Sequence, residues 1–171
     1  MPHPRHSCMC KPFSPNLKKM MRVNKIIVLV CLLGTIRGYA QNIFPEKFDN
    51  CSTDRFALES DTIIAKVDDE DLINVIMKSF DNKTRARVRG TLSLQIIVDL
   101  QGNSCLMSLK NDTNIRTKNL NIKPYIDKEL KWENGNGKVA AIVVYRFEDS
   151  GVKFKRLGMN ANRGVHELRT K

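Results

Sequence analysis

Residues 87–99 read Arg-Val-Arg-Gly-Thr-Leu-Ser-Leu-Gln-Ile-Ile-Val-Asp, and their even and odd positions differ in kind. Leu92, Leu94, Ile96 and Val98 are apolar, whereas Arg89, Thr91, Ser93 and Gln95 are polar. Alternation with period two sends the two sets to opposite faces of an extended chain. This is a strand with one face on a core. Gln101-Gly102-Asn103 then supplies a turn, after which Cys105, Met107 and Leu109 alternate inward along a second strand. A long strand follows from Lys138 to Glu148, with Val139, Ala141, Val143, Tyr145 and Phe147 on one face. Asp149-Ser150-Gly151 turns into a short last strand, Val152–Leu157, which is placed to fold back on its predecessor.

Two helices fit between and before these strands. Acidic residues Asp68 to Asp71 stand where a helix N-terminus favours them. Leu72, Ile76 and Phe80 follow at four-residue spacing, predicting a helix over 69–80 that ends at Asp81-Asn82. The second helix runs from Leu120 to Trp132 on Ile122, Ile126 and Leu130, with Pro124 tolerated near its first turn, and stops at Asn134-Gly135-Asn136-Gly137. The fold class is therefore α+β, a small antiparallel sheet with two helices packed on one face. The alternation makes Leu94 a core residue, so Leu94→Ala is expected to cost about 2–5 kcal/mol. Gln95→Ala, on the polar face, is expected to cost under about 0.5 kcal/mol. Residues 41–66 read as a loosely docked arm with a short strand at Asp61–Lys66. The domain proper occupies 67–157, and 158–171 a frayed tail.

Upstream, Ile26 to Ile36 form an apolar run preceded by Arg22 and Lys25 and followed by Gly38-Tyr39-Ala40. That is the layout of a secretory signal peptide with cleavage near Ala40-Gln41. At about 11 residues the run falls short of the roughly 20 that a membrane span needs. Met20 or Met21 gives the short basic prelude such a signal wants. A retained anchor helix behind a disordered extension is the other reading of the leader. Removing residues 1–40 takes seven of the 29 Lys+Arg and none of the 18 Asp+Glu, which leaves 22 against 18 and a net charge of +4. The whole-chain charge of +11 thus resides mostly in the leader, and a nucleic-acid partner loses its support. The chain is expected to be exported, periplasmic or secreted, with no stable membrane span in its mature form.

The order helix, strand, tight turn, strand, helix closing near a Trp, strand carries a resemblance. The run from Gly90 to Gly102, the helix Asn119–Trp132 and the strand Lys138–Phe147 together resemble the TonB C-terminal domain over roughly residues 68–148. The Tyr-Pro pair that often opens that family's first helix is absent, as are the Pro after the Trp and the Pro/Lys-rich spacer. The resemblance implies a periplasmic protein-interaction module that binds an extended partner by strand addition, with a link to outer-membrane transport or envelope function. It also implies that the free edge belongs to the strand Lys138–Glu148. Here Val152–Leu157 is expected to cover that edge and weaken such docking.

Catalytic constellations are not found in the sequence. His166 is the one histidine after residue 40 and sits in the polar tail, where it lacks the packed partners a general base needs. Cys8 and Cys10 have thiolate spacing but lie in the leader. Asp68 to Asp71 are contiguous rather than loop-spaced as calcium requires. The expectation is no enzyme, no metal and no cofactor. A small secreted enzyme or ligand-binding domain, recognisable by a concave polar pocket, is the rival.

Three features remain as candidates for binding or modification. Lys83, Arg85, Arg87 and Arg89 recur at every second residue, and on an extended chain they form a basic stripe, either a docking surface or a solvated face. Ile142 and Val144, with Ile97, leave the sheet's second face unaccounted for, which suits a protein partner or a homodimer. Cys51 and Cys105 are either bridged, closing a loop of about 54 residues for roughly 3–4 kcal/mol, or Cys105 is a buried free thiol. Asn50, Asn82 and Asn111 head Asn-x-Ser/Thr triplets in predicted loops.

Overall fold

A computed structural model describes residues 42–133 and 137–168. The leader, with its cleavage site, lies outside the described residues, as do residues 134–136. The strands are β1 Glu46–Lys47, β2 Ala57–Leu58, β3 Gly90–Val98, β4 Ser104–Thr113, β5 Val139–Glu148, β6 Gly151–Asn160 and β7 Gly164–Glu167. The helices are α1 Asp69–Ser79, α2 Asn82–Arg87 and α3 Ile122–Glu129, with a 3₁₀ turn at Thr117–Asn119. The chain is an α+β domain. Its sheet runs β1-β4-β3-β5-β6-β7 with antiparallel neighbours, and β2 adds a short parallel pairing to the start of β5.

One face of the sheet carries the main core. Leu92, Leu94, Ile96 and Val98 of β3 meet Val139, Ala141, Val143, Tyr145 and Phe147 of β5 beneath Leu72, Val75 and Ile76 of α1 and Ile122 and Ile126 of α3. The residues expected inside are buried except Cys105, which is half-buried. Tyr145 lies at the centre of this layer, and its hydroxyl donates to the Leu72 carbonyl at 3.0 Å. Burial pushes that phenol's pKa far up, so it stays a neutral donor.

Met107 is inside but on the wrong layer. The β3–β4 register shifts between Gln95, opposite Ser108, and Ile96, opposite Leu106. Met107 is the extra residue of this bulge, so Leu106 and Leu109 join the helix-side core instead. The Leu106 N–H is taken by Asp127 Oδ1 of α3 at 2.7 Å, which ties helix to bulge.

The arm covers the β3–β4 part of the sheet's second face and is docked rather than loose. The Ile43 N–H donates to Gln95 Oε1 at 2.9 Å, and the Phe44 N–H to Ser108 Oγ at 3.3 Å. β1 then pairs with β4, and β2 with β5. The expected strand at Asp61–Lys66 is replaced by these two, with only Lys66 bridging to Glu133. Gln95 is consequently fully buried, and it also accepts from the Ser108 hydroxyl at 2.6 Å. Gln95→Ala would strand both the Ile43 N–H and the Ser108 hydroxyl. It should therefore cost about 1–3 kcal/mol in chemical denaturation, well above the expectation for a solvated face. A cost below about 0.5 kcal/mol, typical of a surface site, would mean that the arm does not dock in solution.

The tail is also ordered through Leu168. β6 continues to Asn160 and β7 returns along it, pairing Leu157 with Glu167 and Asn160 with Gly164. The second helix is shorter than expected, because Asn121 adopts left-handed φ of 46° at its start and Leu130 is already extended. Past it, the Trp132 N–H donates to the Gly102 carbonyl at 2.9 Å. Gly102 has φ of +77°, and a Cβ there would collide with the Trp132 carbonyl, so this close approach requires glycine.

Candidate interaction edge

The four basic residues do not form a stripe. Asp81 caps α2 by accepting the Thr84 N–H on Oδ1 at 2.6 Å, so Lys83, Arg85 and Arg87 lie on a helical turn rather than an extended chain. On a helix, residues two apart diverge to opposite sides. Arg85 instead closes α1, its Nε donating to the carbonyls of Met77 at 2.7 Å and Phe80 at 3.0 Å. Arg89 pairs with Asp149 of the β5–β6 turn, NH2 to Oδ1 at 2.5 Å. Ile142 is buried and offers no free partner surface, and Val144 is half-buried.

Two cysteines meet. Cys51 and Cys105 form a disulfide with Cα atoms 5.7 Å apart, fastening the arm to β4. Lys123 Nζ lies 3.7 Å from Cys105 Sγ and 2.8 Å from Asp127 Oδ2. Beyond the disulfide, Lys138 Nζ grips Asp54 Oδ1 at 2.9 Å. Hydrogen bonding from Ser52 and then Lys138 holds the Asp54 carboxyl at about 2. A carboxyl depressed below its unfolded value stabilises above that value and loses the effect as pH falls through the folded one. The Asp54 carboxyl should therefore titrate by NMR with a midpoint near 2. A midpoint near the ordinary 3.8 would show that this clasp does not form.

Asn111 lies in β4 with its amide bonded to the Ile115 carbonyl at 2.8 Å and Thr117 Oγ1 at 3.0 Å. That site is no free loop acceptor. Asn82 opens α2, whereas Asn50 lies in a loop. His166 belongs to β7, its Nε2 2.9 Å from Arg163 NH2 and 3.5 Å from Asp61 Oδ1. Among the described residues no cluster of three or more His, Cys, Asp or Glu is arranged to hold a metal, and no helix is long and apolar enough to cross a membrane.

The edges of the sheet are the remaining reactive feature. The β5 edge is taken, since β6 pairs with it from Ile142–Leu157 to Glu148–Gly151. At the far side of β4, β1 pairs with Ser108 and Leu109. Beyond it the strand closes on itself, the Thr113 N–H donating to Asn111 Oδ1 at 3.0 Å. On the other flank, β7 pairs with β6 only from Leu157 onward, and the Leu168 N–H reaches the Arg156 carbonyl at 2.9 Å. That carbonyl therefore points outward, and by period two so do the backbone groups of Phe154 and Val152. No described strand takes them.

This stretch, beside which no described strand lies, is chemically two-sided. Val152 and Phe154 lie half-buried against the helix-side core, whereas Lys153 and Lys155 project from the opposite face with side chains 70% and 61% exposed. Beside its first residues lies a groove of about 270 Å³ lined by Met77, Arg85, Val88, Arg89, Phe147 and Val152, among others. Arg85 and Arg89 thus come together here, at the rim of a groove rather than along a strand.

At its inner end the strand is pinned by a buried pair. Arg156 binds the Glu59 carboxylate through NH2 and the Ala65 carbonyl through NH1 at 3.2 Å, and its guanidinium lies 4.9 Å from the Trp132 ring. Glu59 Oε1 accepts the N–H groups of Ile64 and Ala65 at 2.8 and 3.0 Å. Sequence reading missed this pair. Its partners are 97 positions apart, with no local pattern to join them. No family model, curated protein or solved structure matches this chain.

Proposed function

We propose that the protein is an exported, non-enzymatic interaction domain that takes an extended segment of another protein at the outer edge of β6. One observation carries the reading. The backbone groups of Val152 and Phe154 point outward from a ten-residue strand with no described strand beside them. An exposed strand edge is a template for another chain, with main-chain bonds giving affinity and alternate side chains selectivity. The Cys51–Cys105 disulfide supports an oxidising, extracytoplasmic setting. The order α1, β3, β4, α3, β5, interrupted by the additional α2, supports the reading by way of the resemblance to the TonB C-terminal domain. The docking edge is displaced by one strand, from β5 to β6.

Two experiments test this. Protein recovered from its own cells should begin near Gln41 by mass spectrometry, and an intact leader would overturn the export reading. Cross-linked partners of the tagged protein should then be compared with those of Val152→Pro. Proline at an outward-facing edge position removes a donor while leaving the ladder to β5 intact. Partners lost in a variant that still melts like the parent support strand addition. Partners retained equally would contradict it.

A further inference from the structure

Resting on the β6 edge as the docking site, we infer that its partner is an extended segment alternating apolar with acidic residues, not a second copy of this chain. Period two gives each flank of the edge its own chemistry. On the helix side, Val152 and Phe154 are half-buried, and Val152 also lines the groove with Met77 and Val88. A partner's apolar side chain set against Val152 would fill that groove. On the other side stand Lys153 and Lys155, with Arg146 beside Lys153 on β5. Their internal counter-charges are fewer. Glu148 serves both Arg146 and Lys153 at 2.8 Å each, and Glu167 serves Lys155 at 2.5 Å. All these pairs are at the surface, where such contacts exchange readily.

The geometry sharpens the preference. Because Val152 and Phe154 make the outward hydrogen bonds, Lys153 and Lys155 occupy the non-hydrogen-bonded positions of any antiparallel ladder formed there. Directly opposed side chains are closest at those positions. A carboxylate opposite each lysine is favoured, and a like charge is disfavoured. Two-fold pairing of β6 with itself fails on this count. Of the in-phase antiparallel registers confined to Gly151–Arg156 of each copy, the stretch between the hairpin turn and the β7 pairing, those that pair all of Val152–Lys155 set Lys153 against the copy's Lys153 or Lys155.

The test uses the full-length oxidised protein and three peptides of equal length alternating Val with Glu, Ser or Lys, measured by fluorescence anisotropy. The Glu peptide should bind about tenfold more tightly than the Ser peptide, from two favourable cross-strand pairs, with the Lys peptide weakest. Added salt should narrow the gap. In a Lys153→Glu, Lys155→Glu variant the order should invert. Both sites are exposed, and the ranking on the parent protein decides the matter by itself. Equal binding of all three peptides would overturn the acidic preference and leave strand addition standing. Binding of none would overturn both.

Discussion

Arg156→Ala should destabilise the domain by about 3–5 kcal/mol, as removing one partner of a buried ion pair does. The Glu59 carboxylate would remain fully buried, holding only the Ile64 and Ala65 N–H groups. The guanidinium also joins two segments remote from it in sequence, the arm at Glu59 and Ala65, and Trp132 after α3. Urea unfolding with the loss concentrated in the midpoint is the expected result. A loss under about 1 kcal/mol, the range of exposed pairs, would mean that the pair is solvated. The expected cover of the β5 edge by Val152–Leu157 could be removed by ending the chain at Ser150, but the same pair shows why that is a poor test. It deletes Arg156 together with Val152 and Phe154, and with them part of the core.

Breaking the disulfide should have the next largest effect. Cys51→Ser with Cys105→Ser should cost about 2–4 kcal/mol, by releasing a loop of 54 residues in the unfolded chain and freeing the arm in the folded one. The two consequences separate by hydrogen exchange. The Ile43 and Phe44 amides, bonded to Gln95 and Ser108, should lose protection before those of β3 and β5 do. Uniform loss across the sheet would show that the arm and the sheet unfold as one unit.

Strongly periodic segments were legible in the sequence, and tertiary cover was not. The alternation in β3, the α1 stripe and the Asp-Ser-Gly turn before β6 each reflect a local rule that the fold obeys. The β4 bulge had no such signal, because Cys105, Leu106 and Met107 are all apolar and alternation cannot tell which is the extra one. Lys83 to Arg89 satisfied an extended pattern, yet Asp81 at three residues before Thr84 was the capping cue for α2. Gln95 read as solvated because nothing near it in sequence announces that Ile43 crosses above it. β7 was hidden in a polar tail, although Asn160, Asn162 and Gly164 are turn formers. Along β6, the hairpin with β5 was legible, whereas the pairing of Leu157–Asn160 with β7 was not.

Amide hydrogen exchange along β6, with and without the Val–Glu peptide, tests the docking edge most directly. In the free protein the Lys153 and Lys155 amides should be protected by β5 while those of Val152 and Phe154 exchange fast. On peptide addition Val152 and Phe154 should become protected. Protection of those two amides already in the free protein, or peptide-induced protection at Lys110–Thr113 instead, would contradict the account.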